Sequence, residues 1–188
     1  MRQEHGMDHP QISPQRLGAI VYDDGVAVDA LMCTFARELL DGGVDIAGLV
    51  QLPPGERGCG PGAPMRLRDV RSGAILPICQ DLGPGAVSCK LDPGALADAS
   101  MRLRTSLEAP SDLLFISKFS KQEAAGRGFR EEFAHAVANG RTIITSVKRG
   151  MIHNWLDFTG GVGTLLDCRL WVLREWWREI APRKLANG

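Results

Sequence analysis

The sequence lacks the features that would indicate a membrane protein, a secreted protein or a nucleic-acid-binding protein. It has no apolar run near the roughly 20 residues that a membrane-spanning helix needs. The first fifteen residues are polar and contain no hydrophobic segment typical of a secretory signal. Lys and Arg together number 22, as do Asp and Glu, so no excess of positive charge attracts nucleic acid or anionic lipid. We therefore expect neither a membrane nor a nucleic-acid partner.

Cysteine is scarce and has no ligand-like spacing. The five cysteines are scattered, and no CxxC pair or zinc-like spacing occurs. Reduced thiols in a cytoplasmic protein are the expectation that follows. Cys59 and Cys89 lie in loops rich in Gly and Pro, where ligation of a soft metal, a redox pair and simple burial are the interpretations, of which simple burial is favoured.

The chain does contain short apolar runs that alternate with amphipathic helical patterns. Residues 1–15 are predicted to be a disordered tail, and residues 16–188 a single domain. Four apolar runs predict buried strands, at residues 17–22, 44–51, 112–117 and 141–147. Two further runs flank Arg71-Ser72-Gly73 and predict a β-hairpin. We predict an α/β fold, a three-layer sandwich with a mostly parallel sheet, a β-hairpin insertion and a C-terminal helix rich in Trp.

Three predicted helices carry apolar stripes at helical spacing. The stripes comprise Leu31, Phe35, Leu39 and Leu40 in the first helix, Leu96, Met101, Leu103 and Leu107 at residues 95–108, and Leu170, Leu173, Trp177 and Ile180 at residues 168–180. Trp171 and Trp176 fall off the last stripe. Packing against the sheet is one interpretation of these aromatics, and contact with a protein partner or a homodimer through the C-terminal helix is the other.

The carboxyl ends of the parallel strands predict where a ligand binds. Three polar segments follow predicted strands there, at residues 23–25, 118–123 and 148–149. The ligand-binding candidates from these segments and the strand end before them are Asp23, Asp24, Gly25, Ser117, Lys118, Ser120, Lys121 and Lys148.

The first of these segments lacks the residues of a phosphate-binding loop. A GxxxxGK[ST] loop supplies backbone N–H groups, a Lys for the outer phosphates and a hydroxyl for Mg²⁺. Here Val28 and Asp29 stand where the Lys and the hydroxyl would be, and two carboxylates would repel a triphosphate. Asp23 and Asp24 could hold a metal or act as an acid/base pair. For Asp24 we favour capping of the following helix.

The other two segments are basic. Lys118, Lys121, Lys148 and Arg149 follow strands that are expected to lie close together. Such a cluster suits phosphate, a carboxylate or a metal oxyanion. Salt bridges to Asp23, Asp24 or Glu123, or plain solvated surface, are the equally weighted alternative.

Several segments in the same order carry a resemblance to a known family. They include VYDDGVAVDAL, GVDIAGLVQ, MRLRDVRSGAILPICQDLGPG, SCKLDPGALA and FISKFSKQEAAGRGFREE. Over residues 17–161 the chain resembles the bacterial proteins grouped as domain of unknown function 2478. That family is similar in plan to small phosphate-loop nucleoside-triphosphatases, and its members are often encoded beside molybdate-transport and molybdenum-cofactor genes.

The resemblance implies a P-loop NTPase-like domain with degenerate Walker motifs and a link to molybdenum. The related triphosphatases carry an acidic pair where this chain has Ser117 and Lys118, so a conventional ATPase reaction is not expected. We expect an accessory protein that binds a small anionic ligand, with molybdate, tungstate or a nucleotide as the candidates. The alternatives are a triphosphatase with non-standard phosphate-binding residues and a protein-interaction module with a vestigial site.

Overall fold

The structure, a computed structural model, describes residues 14–53, 65–79 and 91–181. A 3-10 turn at Pro14–Arg16 leads directly into the first strand. The predicted tail, residues 1–15, therefore lies outside the described residues apart from Pro14 and Gln15. Cys59 and Cys89 also lie outside them. The division of the chain into a tail and a single domain stays a prediction.

The described residues form a seven-stranded sheet with the spatial order β4-β3-β2-β5-β6-β1-β7. The strands are β1 (Leu17–Tyr22), β2 (Ile46–Gln51), β3 (Arg66–Asp69), β4 (Ile75–Pro77), β5 (Leu113–Ile116), β6 (Ile143–Lys148) and β7 (Thr164–Asp167). The five strands from β2 to β7 in that spatial order run parallel to one another. The hairpin strands β3 and β4 add to one edge in the antiparallel sense, so the mostly parallel sheet and the hairpin insertion are confirmed.

Helices cover both faces of this sheet. They are α1 (Val28–Asp41), α2 (Pro93–Glu108), α3 (Lys121–Ala124), α4 (Arg130–Ala138), α5 (Ile152–Thr159) and α6 (Leu170–Ile180). Buried residues of α1 and α6 share one core cluster, and those of α2, α4 and α5 share the other. The three-layer α/β arrangement predicted from the sequence is therefore confirmed.

The central strands are apolar on both faces because each face packs against helices. In β1, Leu17 and Ala19 belong to the core beneath α2, α4 and α5, whereas Ile20 belongs to the core beneath α1 and α6. This alternation follows from the period of two residues in an extended strand. It explains why continuous apolar runs, rather than alternating ones, indicated strands in this chain.

Some details of the predicted elements are wrong. Leu40 and Met101 are 43% and 68% exposed because each lies on the outer side of its helix. Trp176 is only 4% exposed, although the sequence stripe excluded it. Its ring fits against β1 because Gly18 has no side chain, and its indole N–H donates to the carbonyl of Gln15 at 2.8 Å. Strand β7 and helices α3 and α5 were not predicted.

The cysteines differ from one another in their chemical state. Cys79 is disulfide-bonded, whereas Cys33 and Cys168 are not. The expectation of reduced thiols is therefore wrong for Cys79. The cytoplasmic location that it suggested stays a prediction. Separately, none of the helices in the described ranges is long and apolar enough to cross a membrane.

Candidate functional site

The loop after β1 forms a tight turn and leaves both of its aspartates exposed. The amide of Val26 donates to the carbonyl of Asp23 at 3.2 Å, and Gly25 adopts a φ of +79° that favours glycine. Helix α1 begins at Val28 with Ala27 at its N-cap, and no side chain caps it. The interpretation of Asp24 as the helix cap is therefore wrong, because the turn places three residues between its carboxylate and the first helical residue.

These two aspartates are instead paired with the basic residues that follow β6. Lys148 Nζ lies 2.6 Å from Asp24 Oδ1, and Arg149 Nε donates to both oxygens of Asp23 at 2.8 and 3.1 Å. The pairs form because β6 lies directly beside β1 in the sheet. All four side chains are substantially exposed, so solvent screens both pairs and neither contributes much to stability. Of the two interpretations of the basic cluster, the geometry here matches the salt bridges.

A more buried pair lies at the ends of β2 and β5. Lys118 Nζ lies 3.1 Å from Asp29 Oδ1 and 3.3 Å from Asp29 Oδ2. The side-chain amide of Gln51 donates to the same carboxylate at 3.0 Å. The side chains of Lys118 and Asp29 are only 20% and 13% exposed. The sequence singled out Asp29 as a non-standard phosphate-loop residue and, in the alternative of a triphosphatase, as a possible Mg²⁺ ligand together with Asp23, whereas Gln51 was missed. As the polar last residue of a buried strand, Gln51 did carry a signal of a strand-end site.

Burial dominates the electrostatics of this pair. It raises the pKa of Asp29 above its ordinary value, and the attraction of Lys118 together with the hydrogen bonds from Lys118 and Gln51 opposes the shift. The pKa of Tyr22 is also raised, first by burial and then by the negative charges of Asp29 and Asp24. Lys118 Nζ lies 5.6 Å from the centre of the Tyr22 ring. The site therefore holds its carboxylate less favourably than water does.

The backbone around Lys118 is held on both sides. The amide of Ser117 donates to the carbonyl of Leu49, and the amide of Phe119 donates to the carbonyl of Ser146, each at 3.1 Å. The Phe119 ring is buried, with its centre 5.1 Å from that of Trp155. The peptide bond between Ser117 and Lys118 is cis. Lys118 thus projects from a segment that the neighbouring strands and an aromatic cluster fix in place.

A cavity of about 250 Å³ opens beside Lys118. Its apolar wall comprises Met65, Leu67, Ile78, Leu91, Leu96 and Phe129. Its polar lining comprises Gln51, Ser117, Lys118, Ser120, Gln122 and Glu123. The Ser117 side chain is buried, and its hydroxyl has no hydrogen-bond partner among the described residues. A buried polar atom without a partner is uncommon in folded proteins, and this one belongs to a residue of the cavity lining.

Ser120 lines the cavity but is engaged in the local structure. Its hydroxyl donates to Glu123 Oε2 at 2.6 Å and accepts from the amide of Gln122 at 3.3 Å, and its own amide donates to the same Glu123 oxygen. These bonds form a capping box at the start of α3. Lys121 follows as an exposed residue outside the cavity lining. The structure therefore brings Ser117, Lys118 and Ser120 to one cavity, and the other predicted residues are not part of its lining.

The grouping of possible metal ligands is a further property of the site. No group of three or more His, Cys, Asp or Glu side chains that could hold a metal ion occurs among the described residues. The carboxylates at the strand ends are each matched with a cation instead.

The sheet order and its two helical layers define an α/β domain with a candidate site at the ends of its parallel strands. The fold is similar to the solution structure of a human cancer-related nucleoside triphosphatase, with a TM-score of 0.54 over 75% of this chain and 82% of that chain. The sequences are 16% identical, so the likeness is one of fold. The family described as Protein of unknown function (DUF2478) matches residues 17–176, and the chain belongs to this family. The resemblance found in the sequence is confirmed.

A curated relative carries the connection to molybdenum. The chain is 42% identical over 179 residues to the molybdenum import ATP-binding protein ModC 2 of Bradyrhizobium diazoefficiens (strain JCM 10833 / BCRC 13528 / IAM 13628 / NBRC 14792 / USDA 110). The match covers 94% of this chain but 20% of the relative, so the chain spans about a fifth of that protein's length.

Proposed function

We propose that this chain is a small-ligand or oxyanion-binding accessory domain of molybdenum metabolism, built on a nucleotide-binding fold that has lost its phosphate loop. The observation that carries the proposal is the cavity at the carboxyl ends of β2 and β5, where Lys118 and the unpartnered hydroxyl of Ser117 meet an apolar wall. This position agrees with the strand-end location of ligand sites in open α/β sheets. Lys118 lines this cavity, and backbone hydrogen bonds on both sides of it hold its segment against the neighbouring strands.

The molybdenum part of the proposal comes from the relative named as a molybdenum import ATP-binding protein. Because the chain matches only about a fifth of that relative, its transport activity is not carried over. What is carried over is the metabolic setting, with molybdate or the molybdenum cofactor as the ligands to test first.

Binding is better supported than triphosphate hydrolysis. The turn after β1 presents the carboxylates of Asp23 and Asp24, and these are matched by Lys148 and Arg149 rather than by phosphate donors. Lys118, which could replace the missing phosphate-loop lysine, is paired with Asp29. A triphosphate would have to displace these ion pairs and would meet three carboxylates at one edge of the sheet.

A ligand screen by thermal shift, followed by titration calorimetry, tests the proposal. The screen contains molybdate, tungstate, sulfate, ATP and GTP, and uses wild-type protein, Lys118→Ala and the control Lys121→Ala. A ligand at 100 times its Kd stabilises the folded state by about 2.7 kcal/mol, which a thermal shift detects. We expect Lys118→Ala to lose the shift and Lys121→Ala to retain it, because the Lys121 side chain is exposed and outside the cavity. A shift that survives in Lys118→Ala would contradict the assignment of the site.

A protein contact through α6 is the second candidate function. Trp171 is 54% exposed on this helix, whereas Trp176 and Trp177 are buried. Large exposed aromatic side chains often anchor interfaces. Light scattering after size exclusion, on wild-type protein and Trp171→Ala, measures the mass in solution; an assembly that Trp171→Ala dissociates would support a homodimer through α6, and equal monomer masses would exclude it.

A further inference from the structure

The cavity beside Lys118 has a lining of two chemically different kinds. Leu67, Leu96 and Phe129 contribute to an apolar wall that comes from three separate parts of the fold. Ser117 and Lys118, which directly follow β5, contribute polar groups to the same lining. An apolar cavity of about 150 Å³ is already large enough to hold benzene. The volume of about 250 Å³ therefore has room for a ring-sized apolar body and a head group.

The charges around the cavity favour a head group with little negative charge. Lys118 is the cation in the lining, and Asp29 already offsets it at 3.1 Å. Glu123 adds a carboxylate to the lining, although the Ser120 amide, the Ser120 hydroxyl and the Phe129 amide donate to its oxygens. A doubly charged oxyanion would thus enter a region whose lysine is already neutralised, and it would lose hydration against an apolar wall.

The donors in the polar part of the lining suit a single acceptor group. The Ser117 hydroxyl is buried without a partner among the described residues, and the Lys118 ammonium has donor capacity beyond its contacts with Asp29. A tetrahedral dianion with four exposed oxygens needs more donors than these two side chains supply. One sulfonate, carboxylate or carbonyl group would be matched by them.

We propose that the cavity binds a small organic molecule with a compact apolar body and one acceptor head group of at most a single negative charge, rather than a bare oxyanion. The apolar body packs against Leu67, Leu96 and Phe129, and the head group accepts hydrogen bonds from Lys118 Nζ and Ser117 Oγ. This inference rests on the proposed function, because it takes the same cavity as the ligand site. It narrows the ligand class from small anions in general to amphiphilic organic molecules.

Two monoanionic probes that differ only in their apolar body test the inference. Benzenesulfonate and methanesulfonate carry the same head group, and benzenesulfonamide is the neutral counterpart of the first. Dissociation constants and perturbed amides are measured by titration of the ¹⁵N-labelled full chain in proton–nitrogen NMR spectra, with sulfate and molybdate as the dianions. We expect benzenesulfonate to bind at least tenfold more tightly than methanesulfonate and than either dianion, because only its ring buries apolar surface. The perturbed amides are expected to cluster around Ser117, Leu96 and Phe129.

Variants of the lining distinguish the contribution of the apolar wall to binding from that of Lys118. Leu96→Trp fills space at the apolar wall and is expected to weaken the binding of benzenesulfonate at least tenfold. The control Leu40→Trp, at an exposed leucine of α1, should leave this affinity unchanged. Lys118→Met is expected to abolish the preference for benzenesulfonate over benzenesulfonamide while ring binding remains. If Leu96→Trp does not fold, Leu96→Phe makes the smaller insertion at the same wall.

The outcomes distinguish this inference from the proposed function. Equal affinities for the two sulfonates, or perturbed amides remote from the cavity, would overturn the proposal that the ligand is amphiphilic. Tighter binding of molybdate or sulfate than of benzenesulfonate, lost in Lys118→Met, would overturn it and leave the proposed oxyanion-binding function standing. If no sulfonate, oxyanion or nucleotide binds, the proposed function fails as well.

Discussion

Lys118 and Asp29 form a pair that stability alone does not explain. Burial raises the pKa of Asp29 in spite of its contact with Lys118, so the folded environment disfavours the carboxylate relative to the protonated acid. Buried ion pairs often stabilise a fold no more than neutral side chains of the same shape. The pair does hold Lys118 and Gln51, which both line the cavity, in a defined position. The role that fits Asp29 best is therefore to position the cavity donors Lys118 and Gln51.

Asp29→Asn is expected to change the pH dependence of folding stability. Because the folded chain has the higher pKa, protonation of Asp29 favours the folded state below the unfolded-state value of 3.8. This contribution is lost as the pH rises through the folded-state pKa. The free energy of unfolding of the variant, minus that of wild type, should therefore increase between pH 4.5 and pH 8. Urea denaturation at both pH values measures this difference.

The matched control is Asp24→Asn, whose side chain is 85% exposed and paired with Lys148. The free energy of unfolding of this control should differ from that of wild type by no more than about 0.5 kcal/mol at both pH values. A difference for Asp29→Asn that decreased with rising pH would mean that the attraction of Lys118 exceeds the effect of burial.

At the scale of single elements, the end of β5 is built from short-range contacts that sequence patterns capture poorly. Helix α3 has only four residues, and its capping box depends on Ser120 and Glu123. The Glu123 carboxylate also accepts from the amide of Phe129 at 3.0 Å, just before α4 begins. One side chain therefore links the cavity rim, α3 and the start of α4.

Ser120→Ala is expected to lower the free energy of unfolding by about 1 kcal/mol, because the α3 cap is lost. Ser106→Ala is the control: this exposed hydroxyl of α2 bonds only to the carbonyl of Arg102 among the described residues, and its loss should cost under about 0.5 kcal/mol. Urea denaturation measures both. If Ser120→Ala matched the control in stability yet abolished ligand binding, Ser120 would be a ligand donor rather than a cap.

The contact between β1 and α6 gives a second prediction at this scale. A methyl group on Gly18 would lie 2.7 Å from Cζ2 of Trp176, whose ring is fixed by its bond to Gln15. Gly18→Ala should therefore cost about 1–3 kcal/mol, typical of overpacking. Gly150→Ala, where the added methyl meets nothing within 4 Å, should change stability by under about 0.5 kcal/mol. Thermal unfolding followed by tryptophan fluorescence compares the two; similar melting temperatures would show that α6 moves aside.

At the scale of the whole molecule, the C-terminal helix belongs to the core. Leu173, Trp176 and Trp177 are buried in the same cluster as β1, α1 and the β7 residue Leu166. Trp171 alone among the tryptophans of α6 is exposed by more than half. Packing therefore involves the buried residues of this helix, and the partner contact proposed above would involve Trp171.

Deletion of residues 165–188 is expected to unfold the chain rather than only to change its assembly, because it uncovers that core cluster. Trp176→Ala should cost about 3–5 kcal/mol by itself, whereas Trp171→Ala should cost under about 1 kcal/mol. Far-ultraviolet circular dichroism and urea denaturation measure the losses. A truncated chain that kept a cooperative transition would refute the structural role of α6.

The sequence by itself determined the main elements and the class of fold. Continuous apolar runs identified β1, β2, β5 and β6, since the periodicity of a strand is a local property. The failures arise where an element is too short to show a period: β7 has one fully buried residue, Leu166, and α3 has a single turn. The position of Trp176 could not be read from the stripe, because the space for its ring is supplied by Gly18, far away in the chain.

The tertiary structure alone decided the site. Lys118 meets Asp29 across 89 residues, and Arg149 meets Asp23 across 126. Both contacts form because β5, β6 and β1 lie side by side and parallel, so the segments that follow these strands share one edge of the sheet. The cavity likewise takes its walls from the hairpin, α2 and the segment before α4. Charge pairing and cavity shape depend on distances between remote segments, and local sequence patterns contain no record of those distances.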